Sequence, residues 1–191
     1  MLPLPVFDDD CLLPAGDYEL TLDELRASAL VSGNGVGSST WDARWRAHLV
    51  ESLATLVRQL WQVGVREIFA DGSFVEDKDH PNDIDGYFVC DLKTFASGER
   101  RAASGELQRQ LNLLDPHKVW TWDPAERRAF RGYPKKQLPM WHQYRVELYP
   151  HYGQFSGIRD SFGNELEFPS AFRLSRRDGK PRGIIKIGGA S

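Results

Sequence analysis

Apolar residues along the chain follow two periods. From Trp41 to Gln62, Trp45, Leu49, Leu53, Leu56 and Leu60, followed by Val63, recur at three- and four-residue spacing, which predicts one long amphipathic helix. Ser39 or Thr40 would cap it, and Gly64 would end it. Short apolar runs from Val65 to Ala70, Tyr87 to Cys90 and Ile184 to Ile187 predict buried strands. Gln143 to Tyr149 alternates, placing Tyr144, Val146 and Leu148 on one face and Arg145, Glu147 and Tyr149 on the other. Lys118 to Trp122, rich in β-branched and aromatic residues, predicts a further strand. Thr21 and Glu24 have the spacing of a capping box, so a short helix should begin there. A polar helix is expected over 99–114, a hairpin-like or loop region over 157–163 and a short helix over 169–175. Asp178-Gly179 signals a turn before the last strand. Residues 1–16, punctuated by proline, read as extended.

With 191 residues, 41% of them hydrophobic, the chain can bury one domain-sized core, with room for a small appendage. The Gly/Ser-rich stretch 32–39 lacks the Gly-Lys-Ser/Thr ending of a phosphate-binding loop and reads as a linker. It divides an N-terminal extension with a short helix (1–39) from the main domain (40–191). The formal charge of −3 offers no general attraction to nucleic acid. The basic segment 123–142, with Arg127, Arg128, Arg131, Lys135 and Lys136, either borders a site and attracts a polyanion or is a solvated loop. Cys11 and Cys90 allow at most one disulfide, and Cys90, within an apolar run, reads as a buried thiol. No apolar run is long enough for a membrane span, and Asp8-Asp9-Asp10 is unlike the start of a signal peptide. The cytoplasm is the expected compartment.

The candidate chemistry lies between the first two predicted strands. Asp83 and Asp85 flank Ile84, so on a strand both carboxylates project to one face while Ile84 enters the core. Two adjacent carboxylates resist joint ionisation unless a cation sits between them, and Mg²⁺, a hard ion, suits carboxylate oxygen. Gly72-Ser73 supplies a turn in which backbone N–H groups can approach a phosphate closely. Lys78, in the intervening loop, either neutralises that phosphate or is simply solvated. Lys180 and Arg182 are weaker candidates of the same kind. His80, His142 and His151 lack metal-type spacing.

Gly72-Ser73 followed by Asp83-Ile84-Asp85 resembles the signature of the polymerase-β-type nucleotidyltransferase superfamily. Asp71-Gly72-Ser73-Phe74-Val75 with Lys78 and Pro81 is similar to a small, mostly prokaryotic branch of unknown biochemistry. So are Leu13-Pro14-Ala15-Gly16 and the closing stretch from Arg177 to Ile184. The resemblance implies an α+β nucleotidyltransferase fold, a mixed β-sheet flanked by α-helices. It also implies a third metal carboxylate on a later strand, where Glu147 stands although aspartate is more usual there. The plainer reading of Glu147 is an exposed strand residue paired with Arg145 or another neighbour. On this reading Asp83, Asp85 and Glu147 are catalytic and hold Mg²⁺ or Mn²⁺, while Gly72, Ser73 and Lys78 bind the nucleotide. An NTP, ATP first among them, would yield its NMP to a protein, RNA or small-molecule acceptor. A toxin–antitoxin or defence setting with a protein partner is one implied context. A non-catalytic binding or antitoxin module is the alternative, and phosphohydrolase chemistry would use the same ligands.

Overall fold

The structure, a computed structural model, describes residues 4–5, 7–33, 39–90 and 102–189. In chain order its strands are β1 (Asp17–Leu20), β2 (Ile68–Asp71), β3 (Ile84–Val89), β4 (Val146–His151), β5 (Phe155–Arg159), β6 (Glu165–Glu167) and β7 (Ile184–Ile187). The helices are α1 (Leu22–Ala27), α2 (Ala29–Ser32), α3 (Ala43–Gln62), α4 (Ala102–Leu114), α5 (Pro139–Tyr144) and α6 (Phe168–Phe172). Five strands form one sheet in the order β1-β7-β2-β3-β4, and β5 and β6 form a separate hairpin. The β1–β7 and β3–β4 pairs are parallel, and β7–β2 and β2–β3 are antiparallel. The architecture is therefore mixed α+β.

Period-two alternation gives the sheet two unlike faces. Ile68, Ala70, Ile84, Phe88, Val146, Leu148, Ile185 and Ile187 share a core with Leu49, Leu53, Leu56 and Leu60 of α3. Each of those leucines is fully buried and contributes about 1.5–3 kcal/mol by leaving water. The opposite face carries a smaller cluster of Phe69, Tyr87, Ile184 and, from α6, Phe172. Beyond that cluster the second face is left to polar groups.

Arg46 is one of the polar side chains buried within the core. It is wholly buried and donates to the carbonyls of Leu30 and Phe74 at 2.8 Å each, Glu76 at 3.0 Å and Lys78 at 2.6 Å. Its guanidinium also lies 3.9 Å from the centre of the Trp41 ring. Burial lowers its pKa to about 10, which leaves it charged near neutrality. One side chain thus fastens the loop joining Gly72-Ser73 to Asp83.

Several elements differ from the sequence expectation. Asp42, not Ser39 or Thr40, caps α3, accepting from the N–H of Trp45 at 2.9 Å. Residues 118–122 form no strand: the backbone N–H and C=O of Trp120 are both taken by the side chain of Asn112. Gln143 and Tyr144 belong to α5, which Pro139 opens at its first turn, so the strand with Glu147 begins only at Val146. The capping box at Thr21 is formed, and Gly64 follows α3 with φ 89°. Residues 34–38 of the expected linker and 99–101 of the expected helix lie outside the described residues. No helix among the described residues is long and apolar enough to cross a membrane.

Candidate active site

Three acids stand side by side across the sheet. Asp71 ends β2, and strand register pairs it with Asp85 on β3, which is paired in turn with Glu147 on β4. Asp83 lies just before β3 and, two residues from Asp85, projects the same way, while Ile84 between them is fully buried. Lateral neighbours on a sheet face stand about 5 Å apart, so the row concentrates negative charge on the face opposite α3.

The two ends of the row are neutralised from within. Asp71 is met by Arg182 at 2.5 Å, and Arg182 also reaches Glu76 at 2.6 Å. Glu147 accepts from the Leu138 N–H at 3.0 Å on Oε1 and from the Tyr149 hydroxyl on Oε2. Arg127 stands 3.7 Å from its Oε1. Asp83 accepts from the Trp141 indole N–H at 2.6 Å. The Asp85 carboxylate has no hydrogen-bond or ion-pair partner among the described residues. Burial and then the charge of Asp83 push its pKa up to about 7, with Arg176 pulling the other way. Burial also raises Asp83, against the pull of Trp141.

Gly72 makes the close approach possible. Its φ is 83°, and a Cβ there would lie 3.0 Å from both the backbone nitrogen and Oδ2 of Asp85, so a side chain would meet strain and crowding together. Gly72–Val75 forms a single 3-10 turn, and within it the Ser73 hydroxyl is buried without a partner. The charge of Lys78 acts on Asp83, but its side chain does not line the cleft onto which the acids open. His80 pairs with Asp42, His142 with the Arg128 carbonyl and His151 with Glu167, all away from the row.

Asp83, Asp85 and Glu147 open onto one cleft of about 1260 Å³. Its rim carries Arg127, Lys135, Lys136, Arg159 and Arg176. Part of segment 123–142 therefore does border the acids, whereas Arg128 is drawn off into a bridge with Gln137. Sequence reasoning missed Asp71 as a member of the row, Arg182 as its counter-ion and Arg176. Position in sequence gave no signal, because β7 and the turn before it reach β2 only through the sheet.

A family model described as a family of unknown function (DUF6932) matches residues 5–188. The chain belongs to the DUF6932 family. No curated protein and no solved structure matches it. The match takes in every strand, β1 included, so in this DUF6932 chain the segment before residue 40 lies within the same matched unit as the acids.

The donor set of the DUF6932 chain fits a hard divalent cation in one respect and resists it in another. Asp85 is an unpartnered carboxylate beside a second carboxylate, each making the other harder to ionise, and Mg²⁺ or Mn²⁺ would relieve both. Among the described residues, however, no group of three or more His, Cys, Asp or Glu side chains is arranged to hold a metal as it stands. Glu147 faces Asp85 in register, but its two oxygens are engaged by Leu138 and Tyr149.

Proposed function

We propose that the chain is a metal-dependent nucleotidyltransferase with a nucleotidyltransferase fold, acting on an NTP, ATP foremost, in the cytoplasm. The observation that carries this reading is the unpartnered Asp85 with Asp83 beside it and Glu147 in register, next to Gly72. Asp83 and Asp85 would hold Mg²⁺ or Mn²⁺, which supplies neutralising charge to the phosphates when bound. Gly72 and Ser73 would bind the phosphate tail through backbone N–H groups and the free hydroxyl. Lys78 would contribute positive charge near Asp83. An acceptor hydroxyl would attack the α-phosphorus, the bond to the bridging oxygen would break, and pyrophosphate would leave. Glu147, once released by Tyr149, would take the hydroxyl proton. Catalysis of this kind consists mostly of positioning and charge stabilisation, which suits a rigid sheet face under a basic rim. The acceptor is a protein, an RNA or a small molecule, and a toxin–antitoxin or defence pairing would supply it through a partner.

One observation favours a second reading. A glutamate already satisfied by Leu138 and Tyr149 suits a non-catalytic module that binds nucleotide, or acts as an antitoxin, without transfer. The experiment is incubation with each α-labelled NTP, Mg²⁺ or Mn²⁺ and a cell lysate, comparing wild type with Asp83→Ala/Asp85→Ala. Label attached to a macromolecule or small molecule by the wild type alone supports transfer. Label released only as free NMP supports phosphohydrolase chemistry on the same pair. Nucleotide binding with neither product supports the binding module.

A further inference from the structure

The polypeptide before and within the turn leading to β7 carries five cations, and the structure sorts them. Arg173 is paired with Asp17 at 2.6 Å, and Arg182 with Asp71 at 2.5 Å. Lys180 pairs with Asp10. Arg177 donates to the Asp10 carbonyl at 2.9 Å and lies 3.5 Å from Asp178. Arg176 alone of the five has no hydrogen bond or ion pair among the described residues, and it is exposed.

Its position is as specific as its lack of a partner. Arg176 lines the large cleft and also a smaller cavity of about 100 Å³ behind it. That inner cavity is walled by Gly72, Ser73, Asp85 and the Asp71–Arg182 pair. Three buried side-chain atoms without partners belong to its walls: Ser73 Oγ, Asp71 Oδ1 and Arg182 Nε. Asp71 and Arg182 are only 1% and 5% exposed, so these unmet hydrogen-bonding groups are built into the fold and require a polar occupant. Arg176 is therefore a free guanidinium at the doorway between the acids and a polar recess beside the Gly-Ser turn.

Resting on the nucleotidyltransferase reading, we infer that Arg176 is the side chain that grips the terminal phosphates of the nucleotide, with the Ser73 hydroxyl as its partner. A guanidinium presents a planar fork of donors that matches two phosphate oxygens at once. Its neighbours in the turn are held by Asp10, Asp17 and Asp71, so the backbone that presents it is anchored while its own head group is free. A nucleotide without the β- and γ-phosphates would receive nothing from it.

The test is calorimetric titration of ATP and of AMP, each with Mg²⁺, into wild type, Arg176→Ala and Arg176→Lys. Because Arg176 is exposed and unpartnered, both variants should melt with the wild type. Loss of a charge-assisted contact predicts that Arg176→Ala weakens ATP by about tenfold or more. AMP, which lacks the terminal phosphates, should bind as before, and lysine should restore part of the loss. With ATP binding intact in the wild type, an unchanged affinity in Arg176→Ala overturns the inference and leaves the nucleotidyltransferase reading standing. Equal weakening of ATP and AMP overturns it likewise. Failure of the wild type to bind either nucleotide overturns both.

Discussion

Asp71 and Asp85 face each other across the antiparallel β2–β3 pair, yet only Asp71 has a guanidinium in contact, Arg182 at 2.5 Å. A protein that needed both acids merely for packing would gain nothing from leaving the central one bare between two charged neighbours. Its isolation is the main reason to look for a ligand in front of it.

That isolation has a signature in pH. The folded chain raises the Asp85 pKa from 3.8 to about 7, so ionising it costs more folded than unfolded. Its contribution to stability is fully present below about pH 4 and is lost as pH rises through about 7. Asp85→Asn should therefore be more stable than wild type at pH 8 by roughly 1–3 kcal/mol, and little different at pH 4. Urea unfolding at the two pH values measures this, and added Mg²⁺ should stabilise the wild type only.

Arg46 donates to four carbonyls, of which that of Glu76 also accepts from the Lys78 N–H at 2.8 Å. Arg46→Met keeps the bulk but takes this donor from the buried Leu30 and Phe74 carbonyls, and should destabilise the fold by about 3 kcal/mol. Arg46→Lys should rescue little of this, since an ammonium cannot span both pairs of carbonyls. Denaturant midpoints for the two variants give the comparison.

Gly72→Ala combines a left-handed φ with a Cβ 3.0 Å from Asp85. The expected cost is about 1–3 kcal/mol, together with loss of any thermal shift produced by ATP and Mg²⁺. Gly64→Ala, where a Cβ would meet nothing within 4 Å, should lose stability through its φ of 89° but keep that shift.

The two thiols should behave differently. Cys11 is exposed and Cys90 buried, where its Sγ–H donates to the His151 carbonyl at 3.4 Å and burial pushes its pKa up to about 12. A thiol reagent at pH 8 should titrate one group per folded chain and two in denaturant. Rapid reaction of both in the folded chain would show that the β3–β4 edge opens.

Local signals were readable wherever the local pattern also decided the structure. Thr21 with Glu24 announced α1, Ile184 to Ile187 announced β7, and the Asp83-Ile84-Asp85 spacing announced which residue turns inward. What could not be read depends on partners distant in sequence. Asp17–Leu20 alternates acidic and apolar residues over only four positions, and it becomes a strand because β7 lies alongside it. Lys118 to Trp122 has strand-like residues but joins no strand, since Asn112 takes the Trp120 backbone. The pairing of Asp71 with Arg182, and the engagement of Glu147 by the Leu138 N–H and its approach by Arg127, follow from the assembled sheet. The Asp-x-Asp pair was legible, and the resemblance named Glu147 with it; Asp71 and the groups that neutralise the two flanking acids were not.

The most direct test of a divalent cation at Asp83 and Asp85 is electron paramagnetic resonance of Mn²⁺ titrated with protein and ATP. Wild type should deplete the free Mn²⁺ signal beyond what ATP alone removes, and Asp83→Ala/Asp85→Ala should not. Equal depletion by the two proteins, or none by the wild type, would contradict the account.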